Sequence, residues 1–366
     1  MRLPLEGLTV LALEQAVAAP FCTARLADAG ARVIKIERPE GDFARGYDDV
    51  AKGQSSYFVW LNRGKESVVL NLASDEGKAE FRELVAQADI LVQNLKPGAL
   101  TRLGFPIEEL RRTYPCLITL SISGYGDEGP LAARKAYDLL IQAESGLCSI
   151  TGGAEEPARV GVSIVDIATG QTAHAAILEA VIARSVSGEG ADIRISMFDV
   201  MADWMTVPLL NHEGGKTPKR MGLRHPSIAP YGVFETRDGV SLLISIQSDR
   251  EWASLCRHVL GDESAITDER FAINVVRVQN RPETDGLVAR TFAANDAAAL
   301  EAMLDGAAIA FARVNDTGAL SSHPHLRRIT VDTPEGPVSY PAPAAIFMGA
   351  PRSYGPVPGI GERPGI

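Results

Sequence analysis

Residues 8–37 read LTVLALEQAVAAPFCTARLADAGARVIKIE, and this stretch sets the fold class. Leu8 to Leu13 is a short apolar run, as expected of a strand buried on both faces. Pro20 opens a helical pattern that Gly30 ends, which is the usual placement of these two residues. Arg32 to Glu37 is a second strand. Strand, helix and strand in so short a span form the unit of a parallel sheet.

The alternation continues outward. Strands are expected at Ser67–Leu72, Asp89–Gln93, Cys116–Ser121 and Ala191–Ser196. Helices are expected from the Ser74 cap to Gln87, from Pro106, over Asp138–Leu147 and over Phe198–Leu210. The fold class is therefore α/β, with an open, mostly parallel, Rossmann-like sheet joined by right-handed crossovers. Beyond Asn211 the texture changes, and residues 212–230 are rich in Gly, Pro and basic side chains. A hairpin over Tyr231–Ile246 turns at Asp238-Gly239. Helical patterns follow at 249–260, 281–293 and 297–306, then a strand at Ile309–Val314. The expected organisation is a large α/β domain over 1–211, a smaller α+β domain over 212–310, and a return segment over 311–366 completing the large domain.

Val160 to Val165 reads as one more strand and Gln171 to Arg184 as a helix, with Asp166 at the junction. Open α/β folds bind ligands beyond the carboxyl ends of their strands, so Asp166 is a candidate nucleophile. The same position suits an N-cap, whose carboxylate accepts the first free N–H groups of the helix.

At 366 residues and 46% hydrophobic, the chain has material for two domains. A net charge of −10 opposes a sequence-wide affinity for nucleic acid or anionic membrane. An anionic ligand then needs a local basic pocket. Lys35, Arg38, Arg45, Arg63, Lys65, Lys96, Arg102, Arg134 and Lys135 fall at strand ends and loops of the first half and are candidates for it. Cys22, Cys116, Cys148 and Cys256 form no C-x-x-C pair and read as small hydrophobes in a reducing compartment. Glu6 and Glu14 break the apolar start, which reads as a strand rather than a leader. No apolar run reaches the length of a membrane span, and a cytoplasmic protein is expected. Gly124–Gly129 matches G-x-G-x-x-G, but Pro130 follows and no helix opens inside the glycines. A tight turn fits better than a dinucleotide site.

An ordered series of motifs then covers most of the chain. It comprises Pro20-Phe-Cys-Thr23, Val33-Ile-Lys-Ile-Glu-Arg-Pro39, Asp89-Ile-Leu-Val-Gln-Asn94, Arg102-Leu-Gly-Phe105, Ile122-Ser-Gly-Tyr-Gly126, Tyr137-Asp138, and Val165-Asp166 with Gly170. In these the chain resembles the family III CoA-transferases, which include formyl-CoA transferase and the carnitine CoA-transferases. The resemblance implies that Asp166 is a nucleophile carrying CoA as an aspartyl thioester, with CoA and acyl-CoA as substrates and no metal or redox cofactor. It implies CoA contacts at Arg38, Leu70, Asn71, Leu72, Ala73, Asn94, Leu95, Lys96, Arg102 and Lys135. Ala73 replaces a lysine of some members, and Val17 a glutamine. Val17, Ala18, Tyr57 and Tyr137 are expected around the reacting acyl group.

The loop Met221–Tyr231 resembles members acting on small dicarboxylic acids. Arg45, Arg224 and His225 are candidates to hold the far carboxylate of succinate, itaconate, mesaconate or citramalate, with succinyl-CoA the expected donor. The family's interlocked homodimer is implied as well, so that His225 serves the neighbour's Asp166. The same fold serves α-methylacyl-CoA racemases, which carry a histidine where this chain has Tyr137. Without it a two-base proton shuttle lacks a base, and transfer is favoured over racemisation. A CoA-binding protein without catalysis is the remaining alternative.

Overall fold

A computed structural model of the chain describes residues 3–363. Two compact units emerge. The larger runs to Leu147 and takes in Arg159–Leu209 and the segment from Arg327 onward. Its sheet is wholly parallel, with strands β1 (Thr9–Leu13), β2 (Arg32–Glu37), β3 (Lys65–Val69), β4 (Ile90–Gln93), β5 (Ile118–Ser123) and β6 (Asp192–Ser196). The order is β3-β2-β1-β4-β5-β6, so the winding reverses between β1 and β4.

Side chains alternate across this sheet, and the two faces have separate cores. Val10 and Ala12 point to the face covered by the helices Ala18–Asp28 and Ile164–Ser187. Leu11 and Leu13 point to the other face, where Phe81 and Phe105 meet edge-on with centroids 4.6 Å apart. Burial on both faces explains why the strands read as continuous apolar runs.

Some expected elements shift. β3 begins at Lys65, two residues before the apolar run, because its leading charges are neutralised inside the fold. No strand forms at 160–165. Ile164 already begins a helix that runs to Ser187, so Asp166 lies in a helical first turn. The helix expected over Phe198–Leu210 is broken at Met205 into Met197–Trp204 and Thr206–Glu213. Pro208, four residues after Trp204, has no N–H to continue the first helix.

The smaller unit comprises Leu210–Leu326 with Cys148–Ala158. β7 (Tyr231–Glu235) and β8 (Ser241–Ser245) form the hairpin, with Gly239 at a φ of +79°. β9 (Ala310–Arg313) pairs with β8, which carries this unit past residue 310. Trp252, Phe292 and Leu242 centre its core.

β10 (Arg328–Val331) and β11 (Val338–Pro341) form a hairpin in the larger unit. The chain then runs beside β3, the outer strand of the sheet. Gly64 N donates to Pro356 O at 2.7 Å and Ser67 N to Glu362 O at 2.8 Å.

Beneath the carboxyl ends of β1 and β2 lies a buried charged network, joined by Lys65 from the start of β3. The Lys65 ammonium donates to Glu14 Oε1 at 2.6 Å, to Pro20 O at 3.1 Å and to Asn62 Oδ1 at 3.1 Å. Lys35 Nζ lies 2.9 Å from Asp42 Oδ2 and 3.5 Å from Glu14 Oε1. All four charged side chains are essentially sealed from solvent. Burial pushes the Lys65 ammonium down to about 8, against the pull of Glu14. Burial pushes Glu14 up, but Lys65 and Lys35 outweigh it and hold the carboxyl below its ordinary value. Removing one partner strands a buried charge, so Lys65→Met is expected to cost about 3–5 kcal/mol in denaturant unfolding. A loss under about 1 kcal/mol would mean that the pairs merely offset their own desolvation.

Candidate active site

In an open parallel sheet the reversal of strand order leaves a crevice beyond the carboxyl ends. Here the loops leaving β1 and β4 are tied together across it. Asn94 Oδ1 accepts the Gln15 N–H at 3.0 Å, and Asn94 Nδ2 donates to Gln15 O at 2.8 Å. Two cavities open at this point, of about 410 and about 500 Å³, sharing Gln15 and Leu95 in their walls. Arg38, Leu70, Asn71, Leu72 and Ala73 line the first. Val17, Ala18, Tyr57, Asn94, Lys96, Lys135 and Tyr137 line the second, together with Asp138 and Asp166.

Asp166 is not the cap of its helix. That work falls to Asp138, from outside: its Oδ1 accepts the N–H groups of Val165 at 2.7 Å and Asp166 at 3.2 Å. Its Oδ2 accepts Gln142 Nε2 at 2.6 Å, and Gln142 Oε1 in turn accepts the Val160 N–H at 2.9 Å. Ser163, at the N-cap position, makes no side-chain cap bond. Asp138 therefore has both oxygens engaged, whereas among the described residues no donor reaches the Asp166 carboxylate. Burial, with the like charge of Asp138 second, pushes the Asp166 carboxyl up to about 7. The helix N-terminus, which would favour an anion, is already answered by Asp138.

Two glycines set the position of this pair. A Cβ on Gly170 would meet Ala18 O at 2.5 Å and Phe21 Cβ at 2.9 Å. Only glycine lets the Ile164 helix lie this close to the Ala18 helix, whose start lines the cavity. A Cβ on Gly124 would lie 2.2 Å from the Ala136 Cβ, so Gly124 admits the segment that carries Tyr137 and Asp138. The later glycines of that motif, Gly126 and Gly129, have φ near +90°. No helix starts there before Asp138, and the motif is a turn.

The comparisons decide the family. The model of CoA-transferase family III matches residues 5–363. The chain belongs to the family III CoA-transferases. It is 42% identical over 281 residues to the acetyl-CoA:oxalate CoA-transferase of Acetobacter aceti, covering 76% of this chain and 72% of that one. It is 36% identical over 316 residues to the succinyl-CoA:glutarate CoA-transferase of Mus musculus, covering 85% and 72%. The crystal structure of a CAIB/BAIF family protein from Brucella suis matches with a TM-score of 0.85 at 34% identity, over 99% of this chain and 97% of that one.

In this CoA-transferase several candidate basic residues are occupied by structural ion pairs. Lys35 and Lys65 sit in the buried network, and Arg63 pairs with Asp28. Arg45 donates to both Glu37 oxygens, at 2.9 and 2.7 Å, and lies 3.7 Å above the Phe58 ring. It lines neither cavity, and its fork is filled by a carboxylate of the chain itself. Arg102 also lies outside both walls, with its Nη1 3.5 Å from Pro97 O. Arg38, Lys96 and Lys135 remain exposed at the cavities. Arg224 and His225 lie in the smaller unit and line neither cavity.

Phe43 and Tyr47 were not singled out from the sequence, yet both line the second cavity. Tyr47 packs edge-on against Tyr57, with centroids 5.6 Å apart. Burial and the charges of Asp42 and Asp166 push its phenol up to about 12. The available signal was two aromatics four residues apart in a polar loop, the spacing of one helical face.

Gly170→Ala is expected to cost about 1–3 kcal/mol of stability by overpacking and to lower the turnover number by displacing Asp166. Thermal unfolding and steady-state kinetics check both. Asp138→Asn removes the like charge, so the acid midpoint of the pH–rate profile should fall below 7, while burial keeps it above the ordinary carboxylate range. An unmoved midpoint would exclude charge coupling between the two aspartates.

Proposed function

We propose that this CoA-transferase moves CoA from an acyl-CoA donor to a dicarboxylic acid through a thioester on Asp166. The observation that carries the reading is the Asp166 carboxyl itself. It faces a cavity at the sheet's switch point, has no hydrogen-bond partner among the described residues and is pushed up to about 7. A carboxylate relieved of water and of internal donors is a better nucleophile than a solvated one.

The chemistry balances without an added oxidant or proton. A carboxylate oxygen of Asp166 attacks the thioester carbonyl, the C–S bond breaks, and CoA leaves as thiolate. The resulting mixed anhydride is attacked by that thiolate at the aspartyl carbonyl, which frees the donor acid and leaves aspartyl-CoA. An acceptor carboxylate then attacks the aspartyl carbonyl and expels thiolate. The thiolate takes the acceptor's acyl group from the second anhydride, and Asp166 is regenerated. Each tetrahedral intermediate needs preorganised donors for its oxyanion.

Succinyl-CoA is the preferred donor in this reading, and the acceptor a short dicarboxylate such as itaconate, mesaconate or citramalate. The oxalate and glutarate named for two relatives support the dicarboxylate class. The working form is a homodimer in which Arg224 and His225 of one copy face the Asp166 of the other. Exposed apolar side chains such as Val186 (89%), Val207 (67%) and Leu210 (61%) suit a surface that a second copy covers.

Incubation with succinyl-CoA should place a CoA adduct on the Asp166 peptide, read by mass spectrometry, and Asp166→Asn should abolish both adduct and exchange. Exchange that persists in the variant sinks the mechanism, and solvent deuterium entering the α-position would point to epimerisation instead. The donor kcat/KM should rise with pH to a plateau, with a midpoint near 7 where Asp166 ionises. Stability should run the other way. The folded Asp166 holds a proton between about 4 and 7 that the unfolded chain releases, so ionising it costs stability as pH rises. Asp166→Asn should therefore melt higher than wild type at pH 8 and lose that advantage near pH 4.

A further inference from the structure

The smaller unit holds a charged cluster with atoms left open. Among the described residues, Arg281 Nη1 and Asp285 Oδ1 are buried without a hydrogen-bond partner. Asp285 Oδ2 stands 3.9 Å from Arg281 Nη1 and 4.0 Å from Arg224 Nε. A direct charge-assisted bond would close to about 2.7–2.9 Å. The carboxylate is thus suspended between two guanidinium groups and bonded to neither, and the trio has an excess of one positive charge. The Arg224 guanidinium is therefore held near Asp285 by charge alone, without a direct hydrogen bond.

The surroundings hold the cluster in shape. Arg281 Nη2 donates to His225 O and Ile228 O, each at 2.7 Å, which fixes its guanidinium behind the loop. The Arg224 stem lies over Gly232, where a Cβ would come within 3.2 Å of its Cγ. The Arg224 side chain as a whole is 61% exposed, so a ligand can approach it. His225 stacks on Tyr231, with centroids 5.2 Å apart. The Ser227 N–H, which can only donate, meets His225 Nδ1 at 3.2 Å. Nδ1 is therefore the acceptor, and in the neutral ring Nε2 carries the hydrogen.

We propose that Arg224, with the buried positive charge of Arg281 behind it, binds the far carboxylate of the dicarboxylic acceptor, and that Asp285 is the internal rival holding Arg224 until the acceptor arrives. The inference rests on the dicarboxylate-transfer reading above. It adds two residues, Arg281 and Asp285, and a reason for their unmade bonds. Burial also pushes the Asp285 carboxyl above its ordinary value, which makes it a weak rival that yields to an incoming carboxylate. A water molecule filling the gap would satisfy the same atoms but would leave acceptor kinetics indifferent to Asp285.

The test uses the full-length enzyme, one acyl-CoA donor, and two acceptors of equal length, glutarate and pentanoate. Asp285→Asn should lower KM for glutarate by roughly two- to fivefold, the scale of one part-exposed ion pair, and leave pentanoate unchanged. Asp285→Glu reaches further toward Arg224 and should raise KM for glutarate. Arg224→Gln should raise it about tenfold or more, the loss of a charged hydrogen bond, and erase the preference for the diacid. With acetyl-CoA as the donor, which carries no far carboxylate, KM for the donor should stay put in all three. Parallel shifts with both acids, or none with either, overturn the proposal. A wild type that moves CoA to no diacid overturns the reading beneath it instead. Thermal unfolding verifies each variant, and if Asp285→Asn fails to fold, the other two decide.

Discussion

One oxygen of Asp138 sets how the Ile164 helix begins and what surrounds the Asp166 side chain. By taking the N–H groups of Val165 and Asp166 it starts the Ile164 helix from outside and frees the Asp166 side chain from that duty. The same charge, held close by, adds to burial in keeping the Asp166 carboxyl up to about 7. Capping and the raised Asp166 carboxyl are thus one arrangement: the group that stabilises the helix end also destabilises the anion beside it.

The buried pairs under the sheet's carboxyl edge serve this geometry. Asp42 meets Lys35 with one oxygen and, with the other, the N–H of Ala16, which has a φ of +64°. That backbone state is disfavoured for alanine, and the carboxylate helps to hold it where the chain turns into the Ala18 helix. Glu14 meanwhile anchors Lys65 from β3. Charges that look like a phosphate pocket in the linear order are in fact the mortar of the cavity floor. Sealing ions this way is seldom a net gain in stability; here it fixes the loop that borders the cavity lined by Asp166.

What could be read along the chain followed from local chemistry. Ser74 caps its helix through the Gly77 N–H, and Asp238-Gly239 turns its hairpin, because both effects act across a few residues. The parallel sheet was legible from its apolar runs, and the resemblance to family III pointed to the family that the match over residues 5–363 shows. What escaped depended on partners distant in sequence. The strand start at Lys65 was hidden because its charge is neutralised by Glu14. Arg45 looked available until Glu37 met it. The supposed strand at 160–165 failed because the cap of the following helix comes from Asp138, whose contribution no local window contains. Tyr47 was masked by the polarity of its neighbours.

The path of residues 356–362 along β3 carries a consequence of another kind. An outermost strand presents a row of vacant backbone groups, a ready template for another molecule's strand. Here the Ser67 N–H of β3, and that of Gly64 just before it, already have carbonyl partners from the returning segment. The segment also passes so near that Gly355 has no room for a side chain against Gly64. It therefore acts as a selvedge, a finished border that leaves less of this edge of the sheet open to another strand.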